Sequence, residues 1–135
     1  MYVFDTNILV DFLRGRLPLG LELLKNTDSR LIKIPAVVVA ELLVGAYKNK
    51  NPEKLREAIE SLLVNFEILP FDERCAIKYA QIRAELELAG NRIESNDMMI
   101  AATTIVHDAI LATNDLNDFG RIPELRIMSL AEVEH

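Results

Sequence analysis

Four acidic residues, Asp5, Glu41, Asp97 and Asp115, stand where carboxylates are uncommon. Asp5 directly follows the apolar run Met1-Tyr2-Val3-Phe4. Asp115 closes Leu111-Ala112-Thr113-Asn114-Asp115, and Glu41 is the only charged residue between Ala36 and Tyr47. Asp97 opens a stretch that is apolar from Met98 to Ala102. A carboxylate among apolar neighbours carries a desolvation cost unless it is paired or coordinates a cation. If the four converge, they repel one another unless cations hold them, and oxygen-only sites select hard ions such as Mg²⁺ or Mn²⁺. Such ions activate a water, orient a phosphodiester and stabilise the leaving oxygen of an in-line displacement. Phosphodiester hydrolysis is the reaction class that this donor set serves best.

Each acid also has a local reading. Asp5, in Asp-Thr-Asn, is a suitable helix cap. Asp97 in a first helical turn complements the helix dipole. Glu41 has the alternatives of a distant ion pair or solvent, and Asp115 that of an Asx turn. Polar neighbours surround them: Thr6 and Asn7, Ser95 and Asn96, Thr113 and Asn114, and the spare acid Asp118. Caps and turns account for most of these, and orienting carboxylates and waters is compatible with the same positions. Metal-free RNA cleavage needs positioned acid and base groups, usually histidine. Only His107 and the last residue, His135, are present, and they make no catalytic pair.

The elements that must position these residues follow from short apolar runs alternating with helical patterns. Strands are expected at 1–4, 31–34, 66–69, 109–112 and 125–128. Helices are expected at 7–14, 18–25, 36–47, 52–63, 72–89 and 95–106. Pro18 and Pro52 suit first turns, Pro35 stops the second strand, Asp72 is an N-cap and Gly90 a C-terminal stop. Strands of about four residues, apolar almost throughout and separated by helices, imply an α/β fold with a parallel sheet covered on both faces. Ligands of such sheets bind outside the carboxyl ends of the strands. Asp5 and Asp115 both fall there and become neighbours if the first and fourth strands are adjacent.

The chain has 135 residues, half of them hydrophobic, which fits one folded domain spanning 1–135. No apolar run approaches the roughly 20 residues of a membrane span, and the N-terminus has no signal-peptide pattern. The single cysteine, Cys75, reads as a small buried apolar residue in a helix, and its solitude fits a reducing cytoplasm. The net charge of −6 argues against passive nucleic-acid binding. It argues less against metal-assisted cleavage, because two divalent ions add about +4 locally.

Taken together, Asp5-Thr6-Asn7, the segment Pro35 to Leu42 with Gly45, Asn96-Asp97 before Ile100-Ala101-Ala102, and Thr113-Asn114-Asp115 with Asp118-Phe119 resemble the PIN domain. The group most similar is the VapC toxins of prokaryotic toxin–antitoxin pairs, and the resemblance spans essentially the whole chain. It implies a three-layer α/β/α sandwich and an Mg²⁺- or Mn²⁺-dependent endoribonuclease. It puts the four family acids at Asp5, Glu41, Asp97 and Asp115, with supporting hydroxyls at Thr6 and Thr113. It also implies a homodimer and a cognate antitoxin whose tail covers the site, and many relatives cut tRNA or rRNA within a structured loop. Asn114 stands where many relatives carry a basic residue, and an aromatic residue near the end of many relatives is absent. Arg14, Arg16, Lys48, Lys50, Arg92 and Arg121 are the basic residues offered for RNA contact, with a plain solvated surface as the ordinary reading for most of them. Leu21, Leu24, Leu42, Leu43 and Tyr47 form either an antitoxin groove or plain core. Two rivals remain. A phosphoacceptor signalling domain needs an aspartate ending the third strand and a lysine after the fifth, whereas Asp72 follows Leu69-Pro70-Phe71 and no lysine follows Lys78. A non-catalytic binding module of PIN fold would use the acids only as caps.

Overall fold

The computed structural model describes residues 1–15 and 26–129. The helix expected at 18–25, Arg16, Leu21, Leu24 and His135 lie outside the described residues. Five short strands form one parallel sheet: β1 (Tyr2–Phe4), β2 (Ile32–Pro35), β3 (Glu67–Leu69), β4 (Ile110–Thr113) and β5 (Ile127–Ser129). Six helices are described: α1 (Thr6–Leu13), α2 (Ala36–Tyr47), α3 (Pro52–Leu63), α4 (Glu73–Leu88), α5 (Ser95–Val106) and α6 (Leu116–Phe119). The strand order is β3-β2-β1-β4-β5. Right-handed crossovers place the helices of connections running toward β3 on one face and those running toward β5 on the other, which gives three layers. Phosphoacceptor domains have the order 2-1-3-4-5, so the topology departs from that rival. Asp72 does not end a central strand either; it caps α4, accepting from the Cys75 N–H at 3.0 Å.

The order reverses between β1 and β4, which are hydrogen-bonded neighbours with Phe4 opposite Ala112. Crevices at such reversals are where open α/β sheets hold ligands. The central strands are buried on both faces, and Phe4, Leu111, Ile100 and Phe119 are among the largest fully enclosed side chains. Removing each from water contributes roughly 1.5–3 kcal/mol. Cys75 is buried as expected, with its Sγ directed at the Pro70 carbonyl at 3.7 Å.

Two expectations change. Pro35 does not stop β2 but belongs to it, paired with Leu69. The ladder to β1 ends earlier, at Val3 opposite Lys33, so the missing N–H of Pro35 interrupts nothing on that side. The strands are not all doubly covered: β3 is an edge strand whose Glu67 faces solvent and pairs with Lys33 at 2.5 Å. A charge on an exposed edge also discourages pairing with other chains. Among the described residues no helix is long and apolar enough to cross a membrane.

Candidate active site

Asp5 leaves β1 as the N-cap of α1, its Oδ1 accepting from the Ile8 N–H at 3.2 Å. Its other oxygen accepts from the Thr113 hydroxyl at the end of β4. The same hydroxyl oxygen accepts from the Asp115 N–H at 2.9 Å, so Thr113 ties both acids to one strand end. Asp115 in turn caps α6, accepting from the Asp118 N–H at 3.2 Å. Capping and a place in the pocket therefore coexist in both residues: Asp5 is the cap expected of it, while Asp115 caps a short helix, through the N–H three residues on, in place of the expected Asx turn.

Glu41 arrives from α2, which begins directly after β2 without a loop. Among the described residues it forms no ion pair; its Oε1 accepts from the Thr6 hydroxyl at 2.7 Å. Asp97 sits in the first turn of α5. Asp5, Glu41, Asp97 and Asp115 all line one pocket of about 330 Å³ at the β1–β4 reversal, together with Thr6, Asn7, Asp118 and the buried ring of Phe119. Of the supporting residues expected from sequence, Thr113 is buried beneath this pocket, whereas Asn96 is exposed and does not line it.

Two acids change standing. Asp118, expected as a spare acid that supports either the site or its own turn, presents a carboxylate oxygen close to those of Asp97 and Asp115, the three lying within 4.8 Å of one another. Glu94, not singled out in the sequence, lines the pocket as the N-cap residue of α5. Its signal was its place two residues before Asn96-Asp97, where a carboxylate reads simply as favourable to the helix dipole.

Six carboxylates thus share one crevice, and among the described residues none of them forms an ion pair with lysine, arginine or histidine. Burial pushes the Asp5 carboxyl up to about 6, with Asp115 and Glu41 adding repulsion against the lowering effect of its Thr113 and Ile8 hydrogen bonds. Asp97 is also pushed up to about 6, first by burial and then by Glu41, Glu94, Asp115 and Asp118. These are groups held short of a counter-charge. Hard cations take carboxylate oxygens at about 2.1–2.6 Å, so the Asp97, Asp115 and Asp118 oxygens, within 4.8 Å of one another, are spaced as one such ion would require. The donor set, all oxygen and uncompensated, fits a divalent cation of that type.

A carboxylate-walled crevice at the reversal point of an all-parallel sheet defines a class, that of α/β proteins built to hold a hard cation beside a ligand. The chain belongs to the PIN domain family, whose model matches residues 2–125. It is 36% identical over 128 residues to the ribonuclease VapC2 of Rickettsia felis, spanning 93% of this chain and 94% of that protein. It is 31% identical over 126 residues to the tRNA(fMet)-specific endonuclease VapC of Salmonella typhimurium, spanning 93% of this chain and 95% of that one. Its fold is similar to the crystal structure of DNA-bound VapBC from Salmonella typhimurium, with a TM-score of 0.90 and 31% identity over 96% of this chain and 97% of that one.

Proposed function

We propose that this chain is a divalent-metal-dependent endoribonuclease that acts in the cytoplasm as the toxin of a toxin–antitoxin pair. The observation that carries the reading is the meeting of carboxylates from four separate segments, with no basic partner among the described residues, at the β1–β4 reversal. Membership of the PIN family and similarity to proteins named ribonuclease and endonuclease support RNA as the polymer cut.

In this reading Asp97, Asp115 and Asp118 hold Mg²⁺ or Mn²⁺, with Asp5 and Glu41 completing the ring of charge. A cation held by these residues would supply a nucleophilic water at neutral pH and would neutralise charge developing on the phosphate. The chain's own part is to fix the carboxylates. Asp5 is held by the Ile8 N–H and the Thr113 hydroxyl, and Glu41 by Thr6. Neither needs to reorganise when substrate enters, which is where electrostatic stabilisation gains its strength. The Asp5 and Asp97 carboxyls are raised to about 6; a cation would compete with their protons, so its affinity is expected to climb as pH rises through that value.

A relative crystallised as VapBC supports a cognate antitoxin as partner, and we propose a homodimer as the assembled form. Leu42 belongs to the core and Leu43 is half-buried, while Tyr47 is 62% exposed. Of the described hydrophobic residues offered for an antitoxin groove (Leu42, Leu43 and Tyr47), Tyr47 is the one that remains available.

The test is cleavage of labelled transfer RNA by the purified chain freed of any antitoxin. Mn²⁺ or Mg²⁺ supports cleavage and EDTA stops it. Asp97→Asn and Asp5→Asn each lower the rate by at least about a hundredfold while the circular dichroism spectrum is retained. Full cleavage in EDTA, or by the double mutant, refutes the mechanism. Absence of cleavage by the folded wild-type protein with either metal favours the non-catalytic binding module.

A further inference from the structure

Three concavities that share lining residues border the segment around the loop between α4 and α5. The carboxylate pocket shares Glu94 with a second cavity of about 300 Å³. That cavity shares Leu86 and Asn91 with a third of about 240 Å³. Asn91 stands between two arginines, Arg92 on the wall of the second cavity and Arg121 on the wall of the third.

The chain fixes both. Helix α4 ends in a Schellman turn: the Gly90 N–H donates to the Glu87 carbonyl at 3.1 Å and the Asn91 N–H to the Leu86 carbonyl at 2.8 Å. Gly90 takes the positive φ, +76°, that this turn requires and that other residues adopt at a cost. Arg92 follows immediately. The Arg121 N–H donates to the Asp118 carbonyl at 3.2 Å, three residues beyond a candidate cation ligand. Arg83 also borders the second cavity, but Glu87 pairs with it at 2.8 Å and it donates to the Tyr79 hydroxyl at 2.8 Å. Arg30, Lys33, Arg56, Lys78 and Arg126 are each committed to an ion pair. Arg92 and Arg121 are exposed and form no ion pair among the described residues. Of the acids on the third cavity, Glu124 is neutralised by Lys78 at 3.0 Å, which leaves Glu85.

A pocket walled by six carboxylates offers little to hold a polyanion beyond the scissile phosphate. We infer that the two outer cavities form a groove for the RNA backbone on one side of the cleaved bond, with Arg92 and Arg121 as its phosphate contacts. Arg92 is five residues from Asp97, at most about 18 Å of extended chain, so the groove holds phosphates a few nucleotides from the chemistry. The inference rests on the ribonuclease reading for the identity of the strand.

The experiment measures fluorescence anisotropy of a labelled single-stranded oligoribonucleotide against the folded chain carrying Asp97→Asn, with Mg²⁺, over a salt series. Arg92→Gln and Arg121→Gln each weaken binding several-fold and reduce the slope of log affinity against log salt by about 0.7. Glu85→Gln, which removes a like charge, tightens binding. Lys54→Gln, an equal charge change on the exposed face of α3, leaves the affinity near its starting value. In the otherwise wild-type chain, the two arginine variants raise KM for the long RNA and leave cleavage of a dinucleotide unchanged. Unaltered slopes, equal losses from Lys54→Gln, or equal losses on both substrates overturn the groove. So does weakened binding of an acidic peptide with RNA binding intact, which would give the groove to a protein partner. Absence of cleavage by the unmutated chain would instead refute the ribonuclease reading, because the salt slopes are read without turnover.

Discussion

Asp5 answers to two sets of demands. As a cap it needs one oxygen for the Ile8 N–H; as part of the pocket it carries a charge among other charges, buried beside β4. The second role costs stability when no cation is present. A carboxyl raised from 3.8 to about 6 on folding contributes its full stability below about pH 4 and loses it as pH rises through 6. The loss amounts to ~3 kcal/mol for a shift of this size. In EDTA, Asp5→Asn is therefore expected to melt above the wild-type protein at about pH 7.5, with the difference closing as pH falls toward 4. Thermal denaturation followed by circular dichroism across that range checks it, and a wild-type melting point equal or higher at the upper end contradicts it. The same tension explains which acids were legible in the sequence. Asp5, Glu41, Asp97 and Asp115 stood out because their neighbours are apolar. Asp118 was legible only as a spare acid with a turn as its ordinary reading, and Glu94, at a helix end where carboxylates are ordinary, is distinguished only by convergence in space.

At the level of elements, the helices expected at 36–47, 52–63 and 95–106 agree with α2, α3 and α5 residue for residue. Other boundaries move by one or two positions, because strand ends are fixed by pairing partners that the sequence does not display. Pro35 is the clearest case: a proline reads as a stop until the neighbouring ladder is seen to end at Lys33. Gly90 was legible as a stop signal, and its geometry adds a consequence for the loop it begins. Gly90→Ala keeps the space but not the backbone freedom, since among the described residues nothing lies within 4 Å of the added methyl and φ is +76°. It is expected to lower stability by about 1–2 kcal/mol, read as a reduced urea midpoint with an unchanged m-value. An unchanged midpoint would show that the turn accommodates a side chain.

For the molecule as a whole, the sign of the net charge is misleading. A total of −6 looks hostile to a nucleic acid, yet six of the acids are gathered in one crevice where a cation can answer them. Binding of Mn²⁺ is accordingly expected to stabilise the fold, by about 2.7 kcal/mol at a hundredfold excess over Kd. Differential scanning fluorimetry in rising Mn²⁺ reads this as an upward shift in Tm, reduced or lost in Asp97→Asn and Asp115→Asn. A shift of equal size in both variants would place the cation elsewhere. Topology was the least legible property, because strand order depends on packing between distant segments; the only hint was that Asp5 and Asp115 gain meaning if β1 and β4 touch. That contact has a temporal side. The Thr113 hydroxyl that secures Asp5 is supplied 108 residues later in the chain, and Asp115 and Asp118 come later still. On the ribonuclease reading, a nascent chain still lacking β4 already carries Asp5, Glu41 and Asp97 but holds them in no working arrangement. Truncated products of interrupted translation are then inert, and the nuclease comes into being only when Ile110–Thr113 has emerged and taken its place beside Tyr2–Phe4.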